Sequence, residues 1–265
     1  MLEVIKSKDN STIKEIKKLQ EKKYRNLYNK FIVEGFRFVS EALDSKFHVC
    51  YIIISETIEE KFKKLRLNEK VKDDTKLIKV SESILKSICS TDNPQGIAAV
   101  VSNKETIMDY NEGFYILADK IQDPGNMGTI IRTADAAGAK GVIITKGAVD
   151  IYNGKALRST MGSIFKIPII LDEDLKHVKS LKQQGFKIVT SSLDTEYNFY
   201  DVDLTGKIII VVGNEGSGIS EEIYSLSDEK VKIPMPGNTE SLNVGIAAGI
   251  MMFEAVRQKI VEKKS

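Results

Sequence analysis

The sequence has little of what builds metal centres, disulfide frameworks or membrane anchors. Its two cysteines, Cys50 in VCYIII and Cys89 in SICST, make no metal-ligand spacing and are too few for a disulfide framework. Both are expected as buried, reduced thiols of a cytoplasmic protein. The two histidines, His48 and His177, stand alone in their neighbourhoods, so no metal is expected. No run approaches the ~18 uninterrupted apolar residues of a membrane span, and the opening MLEVIKSKDN lacks the apolar core of a signal peptide. Repeats and low-complexity tracts are missing as well. Net charge is only +2, too small to announce an anionic partner by itself.

What is present is an ordinary globular mixture. The 265 residues are 42% apolar and 29% charged, which fits one large or two ordinary domains around a packed core. Charge is placed unevenly. Residues 1 to 30 carry nine Lys/Arg against four Asp/Glu, a balance of +5, which leaves −3 for the rest of the chain. Taken alone, such an arm reads as a solvated helix face.

Periodicity then divides the chain. Residues 9 to 20 predict an amphipathic helix, because Thr12 and Glu15 have capping-box spacing and Ile13, Ile16 and Leu19 share a face. Between about 31 and 101, FIVEG, VCYIII, KLIKV and GIAAVV read as four strands alternating with three helices, enough for a small independent α/β module. The polar segment SNKETIMDYNEG is the linker. Beyond it, strands are expected at 114–118, 141–145, 166–170, 186–191, 207–212 and 230–233, with helices near 127–138, 153–161, 173–184, 219–226 and 242–260. Near-continuous Ile/Val strands separated by helices imply a parallel sheet covered on both faces. The expected domains are a basic helical arm (1–30), a small module (31–103) and a larger α/β domain (112–265).

Three segments of the larger domain carry the chemistry: DPGNMGTIIRTADAAGA (123–139), IIIVVGNEGSGIS (208–220) and IPMPGNTESLNVGIAAGIMMFEAV (233–256). Each sets an apolar run or a Pro/Gly turn before small and polar residues that open a helix, the arrangement that holds a nucleotide-like cofactor at strand ends. A dinucleotide fingerprint fails, since the third glycine after Gly216 and Gly218 would fall at Glu221; a phosphate-binding loop fails because GNEGSGIS has no Lys.

Together and in this order, the segments resemble the SpoU/TrmH family of RNA 2′-O-ribose methyltransferases, of the SPOUT class. Asn126 with Arg132 matches the first family motif, Gly213-Asn214-Glu215-Gly216 the second, and Ile233-Pro234-Met235 with Ser241-Leu242-Asn243-Val244 the third. Gly245 stands where the family often has Ser, and either keeps the helix start small. The resemblance covers residues 112–260 strongly and 31–101 more weakly. It implies a parallel-sheet domain with a deep trefoil knot, which no periodicity reveals, preceded by a small α/β ribosomal-protein-like RNA-binding domain.

The same resemblance implies S-adenosylmethionine as cofactor, held by Thr190, Gly213, Ile233, Met235 and Leu242. Arg132, Asn126, Glu215, Ser241 and Asn243 become the expected catalytic set. A guanidinium stays protonated in proteins, so Arg132 is read as binding RNA phosphate and stabilising developing oxyanion charge, its deprotonation being the alternative. Asn126 orients Arg132 or the ribose, and Glu215 fixes the arginine or a loop. Ser241 and Asn243 stand where helix capping competes with catalysis. In this context the basic arm becomes a phosphate-binding device through Lys17, Lys18, Lys22 and Lys23, and Arg158 a substrate-facing residue. The small residues Gly245, Ala247, Ala248 and Gly249 predict a last helix buried on more than one side, which the resemblance places in a homodimer interface. The expected substrate is large-subunit ribosomal RNA. The alternatives are a tRNA methyltransferase of the same family and a non-catalytic RNA-binding protein keeping the fold.

Overall fold

The structure is a computed structural model that describes residues 4–104 and 106–262. The chain forms two compact units, Met1–Glu105 with Tyr152–Phe165, and Thr106–Ile151 with Lys166–Ser265.

The first unit runs β1 (Val4–Ile5), α1 (Ser11–Lys18), α2 (Lys22–Tyr28), β2 (Lys30–Glu34), α3 (Phe36–Asp44), β3 (Val49–Ser55), α4 (Glu59–Lys64), β4 (Lys76–Val80), α5 (Glu82–Ile88) and β5 (Ile97–Ser102). The expected four strands and three helices are all present. Their sheet has the order β1-β4-β3-β5-β2, with β5 antiparallel to both neighbours and β1, β4 and β3 parallel. Helix α1 starts on Asn10, whose side chain accepts from Thr12 N and Ile13 N; the cap is thus Asn10 rather than the expected Thr12. Ile13, Ile16 and Leu19 bury against Ile53, Ile84, Leu85 and Ile88. The basic helix is therefore one wall of the unit's core, with its lysines turned outward. Helix α2 had no apolar period to announce it.

The second unit runs β6 (Gly113–Ala118), α6 (Pro124–Ala136) and β7 (Gly141–Thr145); after the excursion that contains α7 (Gly154–Thr160), it resumes with β8 (Ile169–Asp172), α8 (Lys176–Gln183), β9 (Lys187–Ser191), β10 (Lys207–Val212), α9 (Glu221–Tyr224), β11 (Glu229–Val231) and α10 (Val244–Glu262). All six strands are parallel, in the order β11-β9-β10-β6-β7-β8. Both faces are covered, as the apolar runs required. Tyr115, Leu117, Ile209 and Val211 pack with Val178, Leu181 and Ile223 from α8 and α9, while α6 and α10 contact the strands β6 and β10. Strand β8 begins three residues later than expected because Pro168 has no N–H for the ladder; its carbonyl instead accepts Val142 N at 2.9 Å. Helix α6 stops at Ala136, and Gly138 turns the chain at φ +68°.

Helices α6 and α10 meet along a seam of small residues. A Cβ at Gly245 would lie 3.2 Å from Thr129 Cγ2, and one at Gly249 3.7 Å from Thr133 Cγ2. Four-residue spacing on both helices lets two backbones approach closely.

The segment 152–165 belongs to the first unit, although it lies between two strands of the second. Tyr152 stacks on Phe31 at 4.6 Å, Phe165 packs edge-on to Phe38 and Phe47, and Tyr152 Oη donates to Asn103 Oδ1 at 2.6 Å.

Candidate active site

Strand β6 hands the chain to α6 on one side of the sheet, whereas β10 hands it to a loop and α9 on the other. The crevice beyond the carboxyl ends of these adjacent strands is a topological switch point, where open α/β sheets bind ligands. A cleft of about 480 Å³ opens there.

Gly213 follows β10 and starts the loop 213–218. The loop closes on itself by two backbone bonds, Asn214 N to Gly218 O at 2.8 Å and Gly218 N to Asn214 O at 3.0 Å. Asn214 Oδ1 accepts Gly216 N and Ser217 N, each at 2.9 Å, and Asn214 Nδ2 donates to Lys120 O. A Cβ at Gly213 would lie 2.4 Å from the Gly218 carbonyl carbon, so backbone meets backbone and no side chain fits. Behind the loop, fully buried Asp119 bonds the Thr145 hydroxyl and Ser220 N, both at 2.7 Å, pinning the loop's exit to the ends of β6 and β7. Nothing in the sequence distinguished Asp119 from any acid after a strand.

Three side chains from the three motifs form one hydrogen-bonded chain. Asn243 Nδ2 donates to Asn126 Oδ1 at 2.9 Å, and Asn126 Nδ2 donates to Glu215 Oε1 at 2.8 Å. Gln122 N approaches Glu215 Oε2 at 3.4 Å. Partial burial pushes the Glu215 carboxyl up, but the Asn126 amide and the backbone N–H groups of Glu215, Gln122 and Asp123 outweigh it, leaving the carboxyl below its ordinary value. A carboxylate so held organises loops and is a poor proton acceptor. Asn243 also caps α10, its Oδ1 accepting Gly245 N at 2.9 Å and Ile246 N at 3.3 Å. One amide therefore caps α10 and anchors Asn126.

Gly213, Ile233, Met235, Ser241, Leu242 and Asn243 all line the cleft, as does Glu215, its sole charged side chain among the described residues. Thr190 does not line it. Its side chain is fully buried, and its hydroxyl is engaged by Ser227 at 2.8 Å and by the Glu229 carbonyl at 3.1 Å; Ser191 and Ser192 border the cleft instead. Arg132 also stands apart. It is exposed in the third turn of α6 and makes no hydrogen bond or ion pair among the described residues, and six residues of helix carry it about 120° round the axis from Asn126. Asn126 and Glu215 hold each other and Asn243, not the arginine. Arg158, on α7 in the first unit, donates from Nη1 to Ser90 Oγ at 2.7 Å.

An open parallel sheet with a glycine-lined, almost uncharged cleft at its switch point defines an α/β enzyme for a nucleoside-like cofactor. The chain belongs to the SpoU rRNA Methylase family, which matches residues 113–253, and the MRM3-like substrate binding domain matches residues 10–99. It is 34% identical over 249 residues to the 23S rRNA (guanosine(2553)-2′-O)-methyltransferase RlmP of Bacillus subtilis, covering 94% of this chain and 97% of that one. A 23S rRNA (uridine(2479)-2′-O)-methyltransferase of Streptomyces viridochromogenes is 31% identical, with 89% and 85% covered. Among solved structures, the SpoU methyltransferase AviRb from Streptomyces viridochromogenes in complex with AdoMet superposes with a TM-score of 0.87 at 29% identity, covering 95% of this chain and 98% of that one. The AdoMet-bound rRNA methyltransferase from Sinorhizobium meliloti gives 0.84 at 30% identity, covering 97% and 98%. No helix of the described residues is long and apolar enough to cross a membrane.

Proposed function

We propose that this protein methylates a ribose 2′-hydroxyl of large-subunit ribosomal RNA with S-adenosylmethionine. The observation that carries the reading is the Asn243–Asn126–Glu215 chain, which ties the loop after β10 to the starts of α6 and α10 beside a cleft fit for an adenosine. The fit is physical: Gly213 lets the loop 213–218 close on its own backbone at the cleft wall, Ile233 and Leu242 supply apolar walls, and the one charged lining residue among the described residues, Glu215, is opposite in sign to a sulfonium. Gly213, Ile233, Met235 and Leu242 would hold the cofactor, which supplies an activated methyl group.

The chain's own task is then orientation and electrostatics. Asn126 and Glu215 fix the loops that frame the acceptor, and Ser241 borders the same space. Arg132, uncommitted and exposed, is free to take an RNA phosphate and stabilise charge developing on the 2′-oxygen, while the hydroxyl proton leaves to phosphate or water. Lys17, Lys18, Lys22, Lys23 and Arg158 give the first unit its phosphate contacts. Ribosomal RNA is favoured over tRNA because the two rRNA-enzyme relatives match along nearly the whole chain, first unit included.

The same reading carries a cytoplasmic location, a trefoil knot around the cofactor loops, and a homodimer through α10. For the dimer, Ile246, Phe253 and Ile260 are each about half exposed at seven-residue spacing, an apolar stripe along one helix face. Calorimetry tests the cofactor: S-adenosylmethionine should bind without added metal, and NAD should not. Tight NAD binding or loss of methyl transfer on chelation would overturn the assignment.

A further inference from the structure

The first unit holds a pocket of about 360 Å³ between the end of β3, helix α5 and the loop 89–96. We propose that it receives an unstacked nucleobase of the RNA substrate; this rests on the RNA-methyltransferase reading.

The loop is fixed before any ligand arrives. The Glu34 carboxylate accepts Ser90 N at 2.5 Å and the Thr91 hydroxyl at 2.8 Å. Gln95 Oε1 accepts Phe36 N at 3.1 Å, and the Gly96 carbonyl accepts Ser55 N at 2.8 Å. Gly96 stands at φ +89°, where a Cβ would lie 2.5 Å from Ile58 Cγ2, so any side chain there would press into the pocket wall. Rigid, preformed concavities suit small planar ligands.

The lining divides into spent and unspent groups. Ser55, Thr57 and Glu82 satisfy one another at 3.0 and 2.9 Å. The Asn93 amide, the Gln95 amide nitrogen and the Asp92 carboxylate make no hydrogen bond among the described residues. Amides and a carboxylate match the mixed donors and acceptors of a base edge. Ile58 and Pro94 offer apolar surface for its faces, with buried Leu85 at the floor. Two carboxylates, Glu82 and Asp92, disfavour a phosphate inside, whereas exposed Lys86 can meet the phosphate that follows the base. Sequence-specific RNA recognition takes splayed-out bases in this way.

Asn93→Ala tests the proposal, because that side chain supports nothing in the fold. The probe is unmodified 23S rRNA made by transcription in vitro, bound to the full-length chain in a filter assay. The variant should bind about 10-fold more weakly, the size of one lost base contact. Its KM for RNA should rise while kcat at saturating RNA and affinity for S-adenosylmethionine stay unchanged. Unchanged RNA affinity overturns the proposal. Should Asn93→Ala fail to fold, photocrosslinking of 4-thiouridine-substituted transcript to the wild-type chain decides: crosslinks at residues 92–96 support the pocket, and their absence overturns it. Wild-type binding that Asn93→Ala weakens, without methyl transfer, would remove the catalytic reading and leave the pocket standing.

Discussion

Asn126 donates to Glu215 at 2.8 Å while accepting from Asn243 at 2.9 Å, so one amide of α6 joins the loop after β10 to the start of α10. Removing it should uncouple all three. A hydrogen bond to a charged group contributes about 1.5–3 kcal/mol, so Asn126→Ala is expected to lower single-turnover methylation by at least ~10-fold. An unchanged rate with normal folding would show that the chain is incidental.

The same pair sets a pH signature. Because donors hold the Glu215 carboxyl below its ordinary value, the order it confers is complete above the ordinary carboxylate range and is lost only as pH falls through the lowered pKa. Affinity for S-adenosylmethionine should therefore stay level from neutral pH down to that range. Asn126→Ala removes a lowering donor, so the acid decline should begin at higher pH. Titrating affinity against pH for both proteins checks this, and coincident curves would contradict it.

Gly213→Ala forces a methyl group onto the Gly218 backbone. The loop must open, and cofactor affinity should fall at least ~10-fold while far-ultraviolet circular dichroism stays native. Normal affinity would mean that the loop is not a cofactor wall.

Deleting residues 1–104 removes Phe31, Phe38 and Phe47, and so strips the aromatic neighbours from Tyr152 and Phe165. The remaining chain should aggregate or bind a hydrophobic dye, and replacing Tyr152 and Phe165 by Ser should restore solubility. A soluble, dye-silent truncation without those changes would contradict the division into units.

Arg132→Ala should reduce methylation at least ~100-fold, as for loss of an oxyanion-stabilising donor, and spare cofactor binding. Arg132→Lys keeps charge but loses the planar fork, and should be about equally impaired. Single-turnover assays with saturating RNA decide between forked geometry and charge alone.

Much of the fold was legible because Ile/Val strands buried on both faces leave a strong local pattern; β6, β7 and β10 fall within a residue of where their apolar runs put them. The cleft was legible through glycine and the third-motif residues. Other features depended on partners far along the chain. The burial of Thr190 depends on Ser227 and Glu229, and the membership of residues 152–165 depends on Phe31. A two-residue strand such as β1 and a basic helix such as α2 carry too few apolar positions to show a period. The orientation of Asn126 toward Asn243 and Glu215, away from Arg132, arises from a helix phase that motif order does not encode.

The most direct measurement is nucleoside mass spectrometry of unmodified 23S rRNA after incubation with the full-length protein and methyl-deuterated S-adenosylmethionine. The expected result is one labelled ribonucleoside carrying its methyl on the ribose 2′-oxygen, absent with Arg132→Ala. Label on a base, or no label from a folded protein that binds the cofactor, would contradict ribose methylation by this site.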